Sequence, residues 1–213
     1  MAAITSPSET IFVDVKDNVC WISFNRPDSL NALNSELVSA LDHIITAVGN
    51  QDDIRCVAIQ GAGDHFMAGG DIKKFKVMLD TEPDMTARRH EFERLLHNVH
   101  EVIFKMRKLR QPIIAIVKGA VAGAGVSLMM ACDLVVASEK SFFTLAYCHL
   151  GVSPDGGSTY HLPRMVGMKR AFEIALLGNR FDAATAEKWG LINWVFSTEE
   201  LEAEAYKIVS SLA

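Results

Sequence analysis

Three groups of residues in this chain of 213 could do chemistry. The first is a single acid, Asp155, in the stretch HLGVSPDGGSTYHLPRMVG. A carboxylate there can carry a proton between reacting atoms, or it can only turn and cap the chain. The turn has its own logic: Pro154 fixes φ, Asp155 accepts local N–H bonds, and Gly156 tolerates a positive φ ahead of a helical segment. The second group is a pair of small-residue loops, in HFMAGGDIKKF and VKGAVAGAGVSL, each after a short apolar strand and before a helix. Such loops let the backbone approach a ligand and aim the free N–H groups of a helix start at it. If they converge, they form a two-donor oxyanion hole for a carbonyl that gains negative charge. Tight helix–strand packing would use the same residues. The AGAG run lacks the GxGxxG spacing of a dinucleotide site, and no acidic ribose partner can be placed. The third group is His97 and His100, one helical turn apart in LLHNVHEVIF. No further ligand accompanies them at metal spacing, so a solvated or half-buried helix face accounts for them.

The elements that must position these groups follow from periodicity. TIFVDVKDNVCWISFNRP alternates apolar and polar residues around Asp17-Asn18 and reads as a hairpin. In NSELVSALDHIITAV, Leu37, Leu41, Ile44 and Val48 recur at helical spacing, with Asn34 or Ser35 as the cap. IRCVAIQGAG is a strand, the loop through Gly70 runs into a turn of helix, and about 84–109 is a long amphipathic helix. QPIIAIVKGAVAGAGVSLMMACDLVVASE adds strand, loop, helix and strand. A helix then ends at Gly178, and DAATAEKWGLINWVF supplies a helix and a short strand. Strands alternating with helices predict an α/β layer fold with βαβ crossovers.

Composition narrows the class. An apolar fraction of 49% over this length suits one globular domain. A net charge of −5 with no basic stripe argues against nucleic acid as a partner. The one dense basic run, Lys105, Arg107, Lys108 and Arg110, falls at a helix end, where cations complement the macrodipole; a phosphate contact is the alternative. Cys20, Cys56, Cys132 and Cys148 have neither CxxC nor zinc spacing, and Cys132 and Cys148 are expected to be packed thiols. No signal peptide and no membrane-spanning apolar run are recognisable, so a cytoplasmic protein without membrane association is expected.

The segments FNRPDSLNAL, FMAGGDIKKF, QPIIAIVKGAVAGAGVSLMMACDLVVASEKSFF, LGVSPDGGSTYHLPRMVG and ALLGNRFDAATAEKWGLINWVF, in this order, resemble the crotonase (enoyl-CoA hydratase/isomerase) superfamily over essentially the whole chain. The resemblance implies a spiral of ββα turns and an acyl-CoA substrate, with no cofactor beyond that thioester. It also implies a homotrimer, often paired into hexamers. It divides the chain into a core over 1–200 and the start of a C-terminal helical region over 201–213, which relatives usually continue. The oxyanion N–H groups match Gly70 and Ala124. Positions matching the coenzyme A contacts are Ser29, Leu30, Ala32, Ala68, Asp71 and Ile72, with Val121 and Gly123 beside the second loop.

The chemistry is less uniform within that superfamily. The two glutamates of the hydratases fall on Ser127 and Tyr147, neither a carboxylate, which argues against hydration. Enoyl-CoA isomerases, including the 1,2-epoxyphenylacetyl-CoA isomerase group, instead place one aspartate eight residues after the second glutamate position, and from Tyr147 that is Asp155. One carboxylate in an apolar pocket can remove a proton and return it two carbons away while the thioester is held as an enolate. The 4-chlorobenzoyl-CoA dehalogenases use an aspartate nucleophile at the same place and a helix-borne histidine, which falls on His100. Hydratase activity through other groups, and acyl-CoA binding without catalysis, are further alternatives. An RNA-binding relative is disfavoured by the acidic, aromatic-poor chain. His43, His65, His90, His149 and His161 receive no role.

Overall fold

The structure is a computed structural model that describes residues 4–213. The hairpin forms as expected: β1 (Ile11–Lys16) pairs antiparallel with β2 (Val19–Phe24) across Asp17 and Asn18, both at positive φ. Helix α1 (Ser35–Gly49) starts at Asn34, whose side chain accepts the Leu37 N–H at 2.8 Å. Strand β3 (Cys56–Gly61) follows, then α2 (Ile72–Thr81) and α3 (Met85–Lys108). Next come β4 (Ile113–Val117), β5 (Ala120–Ala122), α4 (Ala124–Met130), β6 (Leu134–Ser138) and β7 (Phe142–Thr144). A 3-10 turn over Tyr147–Leu150 leads to α5 (Ser158–Val166) and α6 (Met168–Leu177). The chain closes with β8 (Phe181–Asp182), α7 (Ala183–Lys188), β9 (Trp194–Phe196) and α8 (Leu201–Leu212).

The main sheet has the order β1-β2-β3-β4-β6-β9, parallel from β2 onward. Its strands are apolar on both faces, and the faces separate by alternation. Val57, Ile59, Ile113, Ala115, Val117, Val135 and Ala137 join the large core under α1, the end of α3, and α4. Cys56, Ala58, Ile114, Ile116 and Val136 face the other way, where Leu201, Ala205 and Val209 of α8 cover them. This is the α/β crotonase architecture anticipated from the sequence.

Several elements differ from expectation. A second sheet, β5-β7-β8, was not legible, because strands of three, three and two residues carry no readable period. The helix after Gly70 is not one turn but ten residues, with Asp71 as its N-cap. Helix α3 fully buries only Val102, Ile103 and Met106, while Leu95 and Val99, a turn or two earlier, pack half-buried on the same core. Its basic end pairs with carboxylates: Lys105 with Asp42, Arg107 with Asp133 and Arg110 with Asp52. Cys132 is buried as expected, but Cys148 is partly exposed, with Sγ 3.9 Å from His149 Nδ1, because its 3-10 turn lies at the surface.

The connection from β2 to α1 is fixed by Asn31, which is fully buried at φ 55°. Its Oδ1 accepts the Arg26 N–H at 2.8 Å, and its Nδ2 donates to the carbonyls of Ala62 (3.0 Å) and His65 (2.7 Å). Asparagine tolerates the left-handed region better than other side chains and here satisfies three buried backbone groups. Asn31→Ala is expected to lower unfolding free energy by about 3 kcal/mol in denaturant titration, since it strands those groups and keeps the positive φ.

Candidate active site

The loops after β3 and β4 do converge. Met67 N–H donates to Ala120 O at 3.2 Å and Ala122 N–H donates to Met67 O at 3.0 Å, one parallel bridge. On the other side, Leu33 N–H donates to Gly69 O at 2.7 Å and Asp71 N–H to Leu33 O at 2.9 Å. The segment 67–71 is therefore clamped between 33 and 121. The approach leaves no room for side chains: a Cβ on Gly69 would stand 3.1 Å from Ala122 O and 3.7 Å from Ala124 N. A Cβ on Gly125 would meet Met67 O at 2.3 Å. Within this clamp the N–H groups of Gly70 and Ala124 find no acceptor among the described residues; Ala124 opens α4, where the first N–H groups lack helical partners. An apolar crevice runs past Ala124 and Ser127, walled by Leu33, Val38, Leu41, Val99, Val102, Ile103 and Leu128, with Gly156 at the same wall.

Asp155 sits half-buried in the turn before α5, where Gly156 and Gly157 both take positive φ. Its Oδ1 accepts the Tyr147 hydroxyl at 2.5 Å. That hydroxyl lies 3.1 Å from Ser127 Oγ, which lies 2.6 Å from Ser158 Oγ. Ser158 Oγ donates back to the Asp155 carbonyl at 2.6 Å. Ser127 and Ser158 are each 1% exposed. Burial pushes the Tyr147 phenol up beyond its ordinary range, and the Asp155 charge beside it adds to this, so Tyr147 is a neutral phenol near pH 7. His100, on α3, accepts the Gly156 N–H on Nε2 at 3.4 Å.

The structure thus brings together Gly70, Ala124, Ser127, Tyr147, Asp155 and His100. The other expected contacts divide. Ser29, Leu30 and Ile72 are exposed on the rim beside the clamp, and Ala68 donates its N–H to Leu30 O at 3.0 Å. Ala32 and Val121 are buried behind it, and the Gly123 N–H is taken by Thr144 O at 2.9 Å. Asp71 turns inward: its carboxylate binds Arg26 Nη2 at 2.8 Å and caps α2 through the Lys74 N–H at 3.2 Å. Burial acts to raise its pKa, but those hydrogen bonds and the Arg26 charge outweigh it and hold the carboxyl below the usual range. Its side chain fixes the loop and is not offered to a ligand. His97 is exposed, and no cluster of three potential metal ligands occurs among the described residues. Ser158 escaped sequence reading altogether, since a lone serine at a helix start reads as a cap.

Residues 14–213 match the family model described as enoyl-CoA hydratase/isomerase. The chain is 35% identical to the 1,2-epoxyphenylacetyl-CoA isomerase of Escherichia coli (strain K12), over 96% of this chain and 76% of that protein. It is 29% identical to 4-chlorobenzoyl coenzyme A dehalogenase-2 of an Arthrobacter species, over 95% and 72%. The solved structure of an enoyl-CoA hydratase from Mycobacterium avium subsp. paratuberculosis K-10 superposes with a TM-score of 0.85 at 32% identity, covering 97% of this chain and 76% of that one. Fold and site together define an acyl-CoA-processing enzyme of the crotonase type. The chain belongs to the enoyl-CoA hydratase/isomerase family.

Because Gly125 packs directly on Met67 O, Gly125→Ala drives α4 away from the 67–70 loop and separates the two free N–H groups. The expected result is a folded protein whose turnover of an acyl-CoA substrate falls on the order of 100-fold. Steady-state kinetics beside a thermal melt measures it.

Proposed function

We propose that this protein is an enoyl-CoA isomerase in which Asp155 moves the proton and Gly70 and Ala124 hold the thioester oxygen. The observation that carries the proposal is the placement of Asp155. Its neighbour Gly156 lines the apolar crevice together with Ala124 and Ser127, while Ser127 and Tyr147, at the positions where hydratases carry glutamates, are hydroxyls bonded to each other, and Tyr147 donates to the Asp155 carboxylate. Two N–H donors at the carbonyl stabilise the enolate where charge develops, by several kcal/mol in comparable sites. Asp155 then takes a proton from one carbon of the bound acyl chain and returns it two carbons away, and the double bond shifts with no water consumed.

A second reading shares the same acid. In a dehalogenase-type hydrolysis Asp155 attacks a ring carbon, the halide leaves, and His100 activates water to cleave the aryl ester. The contact between His100 and Gly156 supports it. The isomerase is favoured because the chain is 35% identical to the 1,2-epoxyphenylacetyl-CoA isomerase and 29% identical to the dehalogenase. The proposal extends to a homotrimer or dimer of trimers. It is supported by Met168, Phe172 and Leu176, which lie one turn apart on α6 and are exposed.

The decisive test offers 3-enoyl-CoA and 2-enoyl-CoA to the enzyme in D₂O, with product and label position read by mass spectrometry. Conversion of the 3-enoyl to the 2-enoyl ester is expected, reduced about 100- to 10,000-fold in Asp155→Asn. Hydration that persists in the Asn variant sinks the isomerase. Halide release from an aryl-CoA, with no double-bond shift, selects the second reading.

A further inference from the structure

The hydroxyls around Asp155 form a ring that leaves the acid by its side chain and returns to its own carbonyl. The path is Asp155 Oδ1, Tyr147 Oη, Ser127 Oγ, Ser158 Oγ, Asp155 O, with separations of 2.5, 3.1, 2.6 and 2.6 Å. Hydrogen counting on this ring is informative. A carbonyl oxygen only accepts, so the 2.6 Å contact to Asp155 O takes the Ser158 hydrogen. Ser158 Oγ then accepts from Ser127, whose single hydrogen is committed to this 2.6 Å contact in preference to the Gly123 carbonyl at 3.4 Å. With Asp155 ionised, Tyr147 donates to it, and the Ser127–Tyr147 contact holds no hydrogen. The ring has four contacts and three hydrogens. With Asp155 protonated on Oδ1 a fourth hydrogen enters: Asp155 donates to Tyr147, Tyr147 turns its own hydrogen onto Ser127, and every contact is filled.

We infer that Ser158 is a positioning residue that orients Ser127 as an acceptor, so that Tyr147 reverses from donor to acceptor as Asp155 gains a proton. The inference rests on the reading of Asp155 as the proton carrier and states how the site accommodates both of its charge states. No group need move: the Tyr147 hydroxyl hydrogen alone rotates and heavy atoms stay. Tyr147 can play both parts because, as a buried neutral phenol, it has one hydrogen and free lone pairs. Serine at 158 does more here than a helix cap does, since its Oγ bonds Asp155 O while its N–H also donates to that oxygen at 3.0 Å.

Other titratable groups face this turn and must be held constant. His100 reaches it from α3 through the Gly156 N–H. On α5, the His161 ring packs against Gly157. Burial, then the charges of Arg107 and Arg164, lower the pKa of His161. Both histidines are unchanged in the variants below.

The test follows the Asp155 carboxyl directly by carbon-13 NMR, in protein labelled at aspartate carboxyl carbons, the resonance being identified by its loss in Asp155→Asn. In Ser127→Ala, Tyr147 has no acceptor for its hydrogen and stays a donor, which favours the ionised acid. In Ser158→Ala, the Ser127 hydrogen is released and turns to Tyr147 Oη at 3.1 Å, a nearer acceptor than Gly123 O at 3.4 Å, with the same consequence. Both are expected to move the titration midpoint to lower pH by about half to one pH unit, one hydrogen bond's worth. Tyr147→Phe removes a charge-assisted donor to the carboxylate and is expected to move it upward. Opposite signs are the signature; a merely structural Ser158 does not produce them. The inference is overturned if the two alanine variants, shown folded by thermal melts, titrate as wild type or shift upward with Tyr147→Phe. Isomerisation is assayed on the same samples. Absent turnover in the wild type with opposed shifts in the titration refutes the isomerase reading and leaves the ring standing.

Discussion

The clamp on segment 67–71 is the constraint from which the rest of the site follows. Two parallel bridges, to Leu33 on one side and Val121 on the other, hold five residues of irregular chain as firmly as a strand. The bridges require the neighbouring backbones to lie almost in contact, so Gly69 and Gly125 are the residues that fit. They also leave two N–H groups with nothing to bond, which is what a developing oxyanion needs. Arg26 and Asp71 brace the same loop from below with an ion pair that is mostly buried, and Asn31 locks the chain leading into it. Breaking one partner of such a pair costs more than the pair adds, because a buried charge is left alone. These residues hold the backbone of the loop in place.

Proton chemistry is assembled differently, from side chains on separate elements. Ser127 comes from α4, Tyr147 from a 3-10 turn and Ser158 from the first turn of α5, while Asp155 stands on the loop between the last two. The acid is the one carboxyl group among these, surrounded by hydroxyls that are interchangeably donors and acceptors. A pair of carboxylates, as hydration uses, would set like charges against each other at this spacing. On the proposed function, a serine and a phenol in their place leave a single proton carrier whose hydrogen bonds adapt to its state.

Much of the frame was legible in the sequence, for reasons that can be named. The hairpin showed in its alternation and in Asp17-Asn18. Helix α1 showed in four apolar residues at helical spacing after a cap. The Asp155 turn showed in Pro-Asp-Gly-Gly. In each case the signal is local, a period or a turn chemistry confined to one element. What stayed hidden depends on distant partners. The Asp71 side chain is engaged by Arg26, 45 positions earlier, a pairing that no local pattern reveals. Ser158 gained meaning through Ser127, 31 positions away, and His100 through Gly156 at 56. The small sheet was invisible because its strands are too short to repeat anything. Side-chain type marked the candidates, and only the fold showed which of them were already engaged.

The backbone character of the thioester clamp has an evolutionary consequence. Donors that belong to the main chain survive nearly every substitution at Gly70 or Ala124 except proline, which alone removes the N–H. Asp155, by contrast, is a side chain on a turn whose shape is set by Pro154, Gly156 and Gly157 and not by the acid itself. On the proposed function, substrate capture is thus written in the part of the molecule that mutation can hardly erase, and reaction type in the part it can exchange at a single position. A lineage built this way can drift from one reaction to another, or into a silent binder, without ever passing through an unfolded ancestor.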